Sequence, residues 1–201
     1  MRARYDAIVS KGITFCLLFG ARSVAMRHWR FVVSFVMAFS VCAGVLAQEM
    51  EPPAELKKLE WMVGSWEGST KYNMEGMEME SKDTMDIRWD GQFLRITNVG
   101  DMGPMKMTET MFISWDAGSK KYKSWSFTNL APMPRMETGE FLGDKFVSVS
   151  EPWSVPGMAE ATVSRFTLTR KSATEVSFLL EFKEGDKWTK VGEGSAKKKS
   201  G

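Results

Sequence analysis

The sequence predicts an all-β fold: roughly ten strands in one antiparallel meander barrel, preceded by a short N-terminal helix. Three observations carry this. From Ser65 onward apolar residues alternate with polar ones at a period of two. Turn residues interrupt that alternation about every 12 positions, the rhythm of a meander. Only residues 52–64 show helical spacing, so no second helix is expected after them. A meander of this length makes a barrel or a sandwich. The barrel is preferred, because ten strands in an open sheet would leave two unpaired edges.

The elements follow in order. PPAELKKLEWMVG opens with Pro52-Pro53, closes on Gly64, and carries Leu56, Leu59, Trp61 and Met62 as an apolar stripe. Gly64 and Trp66 then form a Gly-x-Trp entry that turns the backbone and drops an indole into the barrel. Trp66, Gly68, Thr70 and Tyr72 alternate against Glu67, Ser69 and Lys71, and Met77, Met79, Met85, Ile87 and Trp89 against Glu78, Glu80, Lys82, Asp86 and Arg88. Asp90-Gly91 signals a tight hairpin into FLRITNV. PMKMTETMFISW places Met105, Met107, Met111, Ile113 and Trp115 on one face, and KYKSWSFTN does the same for Trp125 and Phe127. RMETGEFLG and KFVSVSE flank Gly143-Asp144. EPWSVPG breaks the pattern, and AEATVSRFTLTR, TEVSFLLEF and DKWTKVGEGSA supply the last three strands.

Residues ahead of the helix read as an address. From Met26, Arg27 and Arg30 precede the apolar run FVVSFVMAFSVCAGVLA, with Val45 and Ala47 at the −3 and −1 positions of a signal-peptidase cut. The run is shorter than the ~20 residues of a membrane-spanning helix. Residues 26–47 are therefore read as a signal peptide and residues 1–25 as an extension upstream of the true start. The barrel domain is assigned to 48–196 and a basic tail to 197–201, in a periplasmic or secreted protein. Phe39-Ser40-Val41 is a poor lipobox for Cys42.

Removing that leader changes the chemistry available. Six of 27 Lys/Arg and one of 25 Asp/Glu lie in residues 1–47, leaving 21 against 24 and a net charge of −3. No basic face survives to bind nucleic acid. Cys16, Cys42 and His28 all leave with it. Ser–His–Asp and Cys–His catalysis and ordinary zinc sites are then excluded, and no cofactor or catalytic residue is assigned. The triple lysine at 197–199 adds about 1 kcal/mol per charge at an anionic membrane, too little for a stable anchor.

VGSWEG, GQFL and SWDAGSKKYKSW, in that order and among Met-rich strands, resemble a bacterial family of unknown function whose members carry VGTWEG-, GGRFL- and GYD-type pieces. The resemblance spans the whole mature chain. It implies a lipocalin-like (calycin) barrel and, with it, binding of a small hydrophobic molecule. Ser114-Trp115-Asp116 stands where that family has Gly-Tyr-Asp, and Ser-Ala-Lys-Lys where its last strand ends in Tyr-Thr-Arg. The architecture is also similar to nitrobindin, a haem barrel whose iron is held by histidine. No histidine remains after residue 47, so haem is not carried over.

Two carboxylates fall on otherwise apolar faces, Asp83 beside Met79 and Met85, and Glu109 between Met107 and Met111. An inward carboxylate needs a partner, for which Arg95 or Arg165 is available. Thirteen methionines remain in the mature chain. They suit a filled core, a deformable ligand lumen or a soft Cu(I) site. Met77 and Met79 would lie about 6.7 Å apart on one face, too far for one ion without distortion, and no metal site is assigned. The expected pocket is lined by Met77, Met79, Met107, Met111, Trp115, Trp125 and Phe127, with Asp83, Glu109 and Arg95 as polar anchors. The reading is an exported binder of a small hydrophobic or amphipathic molecule. A filled structural or interaction barrel is the alternative, and a carboxylate-based hydrolase the third.

Overall fold

The computed structural model describes residues 51–200 apart from residues 75–76, 157 and 159. The leader and start-site expectations for residues 1–47 lie outside the described residues. Helix α1 (Ala54–Lys57) is followed by a 3-10 turn, Glu60–Met62, and ten strands. These are β1 (Gly64–Met74), β2 (Met77–Asp90), β3 (Phe93–Asp101), β4 (Lys106–Asp116) and β5 (Lys121–Thr128), then β6 (Arg135–Leu142), β7 (Lys145–Ser150), β8 (Ser164–Arg170), β9 (Glu175–Glu184) and β10 (Lys187–Lys198).

Each strand pairs antiparallel with its neighbours in sequence, and β1 pairs with β10, so the sheet closes into a ten-stranded barrel. Closure forces one face of every strand inward, and the register shows which. Trp66, Gly68, Thr70 and Tyr72 of β1 meet Lys198, Ala196, Gly194 and Gly192 of β10. Toward the open end Gly194 and Gly192 of β10 thus face the larger Thr70 and Tyr72 of β1. Along β4 and β5, Met111 and Ile113 face Ser126 and Ser124 in the same way, while Trp115 faces Tyr122.

Short turns and α1 gather at one end of the barrel and seal it. Leu56 and Leu59 are fully buried and Met62 nearly so. Their spacing of three residues fits a 3-10 path better than an α-helix, so the predicted helix over 52–64 is a single α turn followed by a 3-10 turn. Gly64 takes φ +131°, which a side chain would resist, and delivers Trp66 beneath the plug. There the indole is 2% exposed, and its Nε1 donates to the Met62 carbonyl at 2.7 Å. Tyr122 donates its hydroxyl to the Glu55 carbonyl at 2.8 Å. Around it Trp115, Phe141 and Phe146 pack edge to face, with centroids 5.0 to 5.7 Å from its own. Each fully buried apolar side chain contributes roughly 2 kcal/mol, so this end is the stability core.

Two boundaries differ from the sequence reading. Strand β10 continues through Lys197 and Lys198 instead of ending in a tail at 197. Lys198 sits 5.5 Å over the Trp66 ring and donates to the Trp61 carbonyl at 3.3 Å. AEATV is not part of β8, because Thr162 is taken up in a bridge to Trp153 that folds the β7–β8 connection back on itself. Among the described residues no helix is long and apolar enough to cross a membrane.

Candidate functional site

The opposite end carries the two longest connections, residues 129–134 and 151–163, together with 102–105. Pro104, Pro132 and Pro134 mark them as loops. Below these loops the inward face changes character. Thr70, Ser81, Asp83, Ser126, Glu137, Ser148, Ser150 and Ser164 are all buried, and together they form a polar belt inside the barrel.

Arg135 and Glu137 begin β6 on its inward face, opposite Ser126 and Ser124. The Arg135 guanidinium bonds Glu137 at 2.7 Å through Nε and Glu109 at 3.3 Å through Nη2. Glu109 also accepts from the Ser126 hydroxyl, and Glu137 from Ser148 at 2.6 Å. Burial opposes the charged guanidinium, yet Glu137 and Glu109 outweigh it and hold Arg135 above the usual arginine range. Across the belt, Asp83 accepts from Thr70 at 2.5 Å and from Ser81 at 2.7 Å. Burial, then the charge of Asp83, pushes the Tyr72 phenol up to about 12.

Trp153, on the longest connection, covers the belt. Arg135 lies 5.1 Å from its ring, Phe182 packs edge to face at 6.0 Å, and its Nε1 donates to Ser164 at 3.1 Å. Methionines surround the mouth: Met79, Met102 and Met107 are half-buried, Met105 is 39% exposed and Met133 73%. A cleft of about 460 Å³ opens at the rim beside Tyr72, Met79 and Gly192, and another of about 470 Å³ runs over the outer face of β8–β10 and β1. From plug to mouth the interior is therefore apolar, then polar, then apolar again.

No family model and no curated protein matches this chain. Among solved structures it is similar to Rv2717c from M. tuberculosis. The TM-score is 0.58 at 16% identity, over 75% of this chain and 100% of that one. What they share is the barrel fold.

The barrel divides the residues named from sequence. Met79, Asp83, Met107 and Glu109 share the inward face near the mouth, while Met111 and Trp115 pack against the apolar core. The Met77 side chain lies outside the described residues. Arg95, Trp125 and Phe127 are corrections, for all three point outward. Arg95 lies across from Phe112 on the outer face and pairs with Asp90 at 2.9 Å. Trp125 lies between Phe112 and Met136, and Phe127 is 50% exposed. The reason is volume: Tyr122, Ser124 and Ser126 take the inner positions, where serines accommodate Met111 and Ile113. Arg165 is external too, held by Glu181 at 2.7 and 2.8 Å and stacked on Trp188.

Sequence reasoning missed Arg135, Glu137, Tyr72, Asn98 and Trp153. One signal was present, since Arg135, Glu137, Gly139 and Phe141 alternate as a set. Only pairing with β5 reveals that this set is internal. Among the described residues no three His, Cys, Asp or Glu side chains are grouped to hold a metal ion.

Proposed function

We propose that this chain is an exported carrier of a small amphipathic molecule, taken up through the open end, and that it is a binder rather than an enzyme. The observation that carries this is the buried polar belt between an apolar core and a methionine-lined mouth. A head group reaching the belt would find hydrogen-bond partners already in place, and a tail would lie along adaptable thioethers. Burying ~300 Å² of tail gives roughly 7 kcal/mol before association costs of several kcal/mol, so the belt decides affinity and specificity. Membership of the lipocalin-like family suggested by VGSWEG, GQFL and SWDAGSKKYKSW agrees with this reading.

A filled structural barrel is favoured by one specific observation. Asp83, Glu109 and Glu137 each already accept hydrogen bonds from neighbouring side chains. Native mass spectrometry of the protein purified from its own exported fraction separates the two. A reproducible added mass, lost on denaturation, supports the carrier. A bare polypeptide mass, with no change in tryptophan emission on adding short-chain amphiphiles, supports the filled barrel.

A further inference from the structure

Charge inside the mouth is unevenly matched. Glu109 and Glu137 share the single guanidinium of Arg135. Asp83, 5% exposed, receives only the neutral hydroxyls of Thr70 and Ser81 and, among the described residues, has no lysine or arginine within ion-pair distance. Hydroxyl donors stabilise a carboxylate but do not cancel its charge, and a buried carboxylate without a cation is costly.

A second observation lies on the strand between. Asn98 of β3 faces Glu109 directly across β4, and Asp83 of β2 pairs with Gly100, the next inward residue on β3. The Asn98 Oδ1 is buried and receives no hydrogen bond. Three acceptors therefore stand side by side on β2, β3 and β4. Only glycine fits between them at position 100: a Cβ there would lie 2.8 Å from Ser81 Oγ, 3.0 Å from Asp83 Oδ1 and 3.5 Å from the Met107 methyl. The Tyr72 phenol, which the two carboxylates help to keep protonated, and Arg135, which Glu109 and Glu137 occupy, share this part of the interior.

We propose that the head group taken up at the open end is a cation bearing N–H donors, an alkylammonium or alkylguanidinium, held by Asp83, Asn98 and Glu109. This rests on the carrier reading above and gives it a chemical class. A cation supplies the donor that Asn98 Oδ1 lacks and the charge that Asp83 lacks. An anionic head would meet three carboxylates, and a neutral alcohol would leave Asp83 uncompensated. The Met107 methyl beside the site suits the first carbons of an alkyl chain.

The test titrates the full chain with octylammonium, octanoate and octanol at neutral pH, followed by calorimetry and tryptophan emission. Octylammonium should bind roughly ten- to a hundredfold more tightly than octanol, the range of one charge-assisted hydrogen bond. Asp83→Asn and Glu109→Gln should each cut the preference for octylammonium over octanol about tenfold while leaving circular dichroism unchanged. If octanoate or octanol binds as tightly as octylammonium, the cation assignment falls and the carrier reading stands. If Asp83→Asn and Glu109→Gln weaken all three equally, the carboxylates are structural and the assignment also falls. If none of the three binds, both readings fall.

Discussion

The two ends of this barrel use the same strands for opposite ends of the polarity scale. At the plugged end β1 presents Trp66 to a core of Leu56, Leu59, Leu94 and Ile113. Two inward positions further along, the same strand presents Thr70 to a buried carboxylate. Period-two alternation is equally good at both ends, because it registers only which residues face inward and not what they meet there. Stability is concentrated at one end and chemistry at the other, and substitutions should respect that division.

The largest effect is expected at the plug. Trp66→Ala or Leu59→Ala should cost about 3–5 kcal/mol in urea unfolding, through lost burial and a cavity that α1 cannot close. Arg135→Met at the open end should cost about 3 kcal/mol, because it leaves Glu109 and Glu137 buried without their cation. Adding Glu109→Gln and Glu137→Gln should recover most of it. A single recovery of that size at the plug would blur the contrast.

Alkaline titration compares the ends directly. Burial lifts Tyr122 at the plug to about 12, and burial with the charge of Asp83 lifts Tyr72 at the mouth to about 12. An unfolded tyrosine ionises near 10, so each phenol contributes stability that is complete below pH 10 and lost as the pH rises toward 12. Tyr72→Phe and Tyr122→Phe should each flatten that loss. Asp83→Asn should lower the phenolate midpoint of Tyr72 and leave that of Tyr122 in place, as read by phenolate absorbance. The smallest effect is reserved for the outer face, where Phe127→Ser should change unfolding by no more than about 0.5 kcal/mol.

Architecture was legible in the sequence because alternation and turn residues are local signals. Asp90-Gly91 reads as a hairpin wherever it occurs, and Gly64 with Trp66 marks the strand entry without reference to any partner. Asp83 and Glu109 each share a face with methionines, but the sequence left open a bulge that would turn them outward, and only the register of β1–β4 points them inward. Arg95, Trp125 and Phe127 failed for a nonlocal reason. On β5 both faces carry an aromatic residue, Tyr122 on one and Trp125 and Phe127 on the other, and bulk suggests the wrong face. Only the volume already occupied by Met111, Ile113 and Trp115 decides it. Arg135 was invisible for the same reason, because its identity as the partner of Glu109 depends on a pairing two strands away.

Nine of the ten strand pairings join sequence neighbours, and the β1–β10 pairing joins residues at least 120 positions apart. Local hairpins can zip early, whereas this seam must wait for the rest of the chain. It is also tight. A Cβ on Gly194 would fall 2.3 Å from the Ser69 carbonyl oxygen and 2.5 Å from the Phe178 ring. The ring is thus completed by a late zipper with no spare width. Contacts made after the rate-limiting step govern how fast a protein comes apart rather than how fast it assembles, so a seam that closes last would set how quickly the barrel opens.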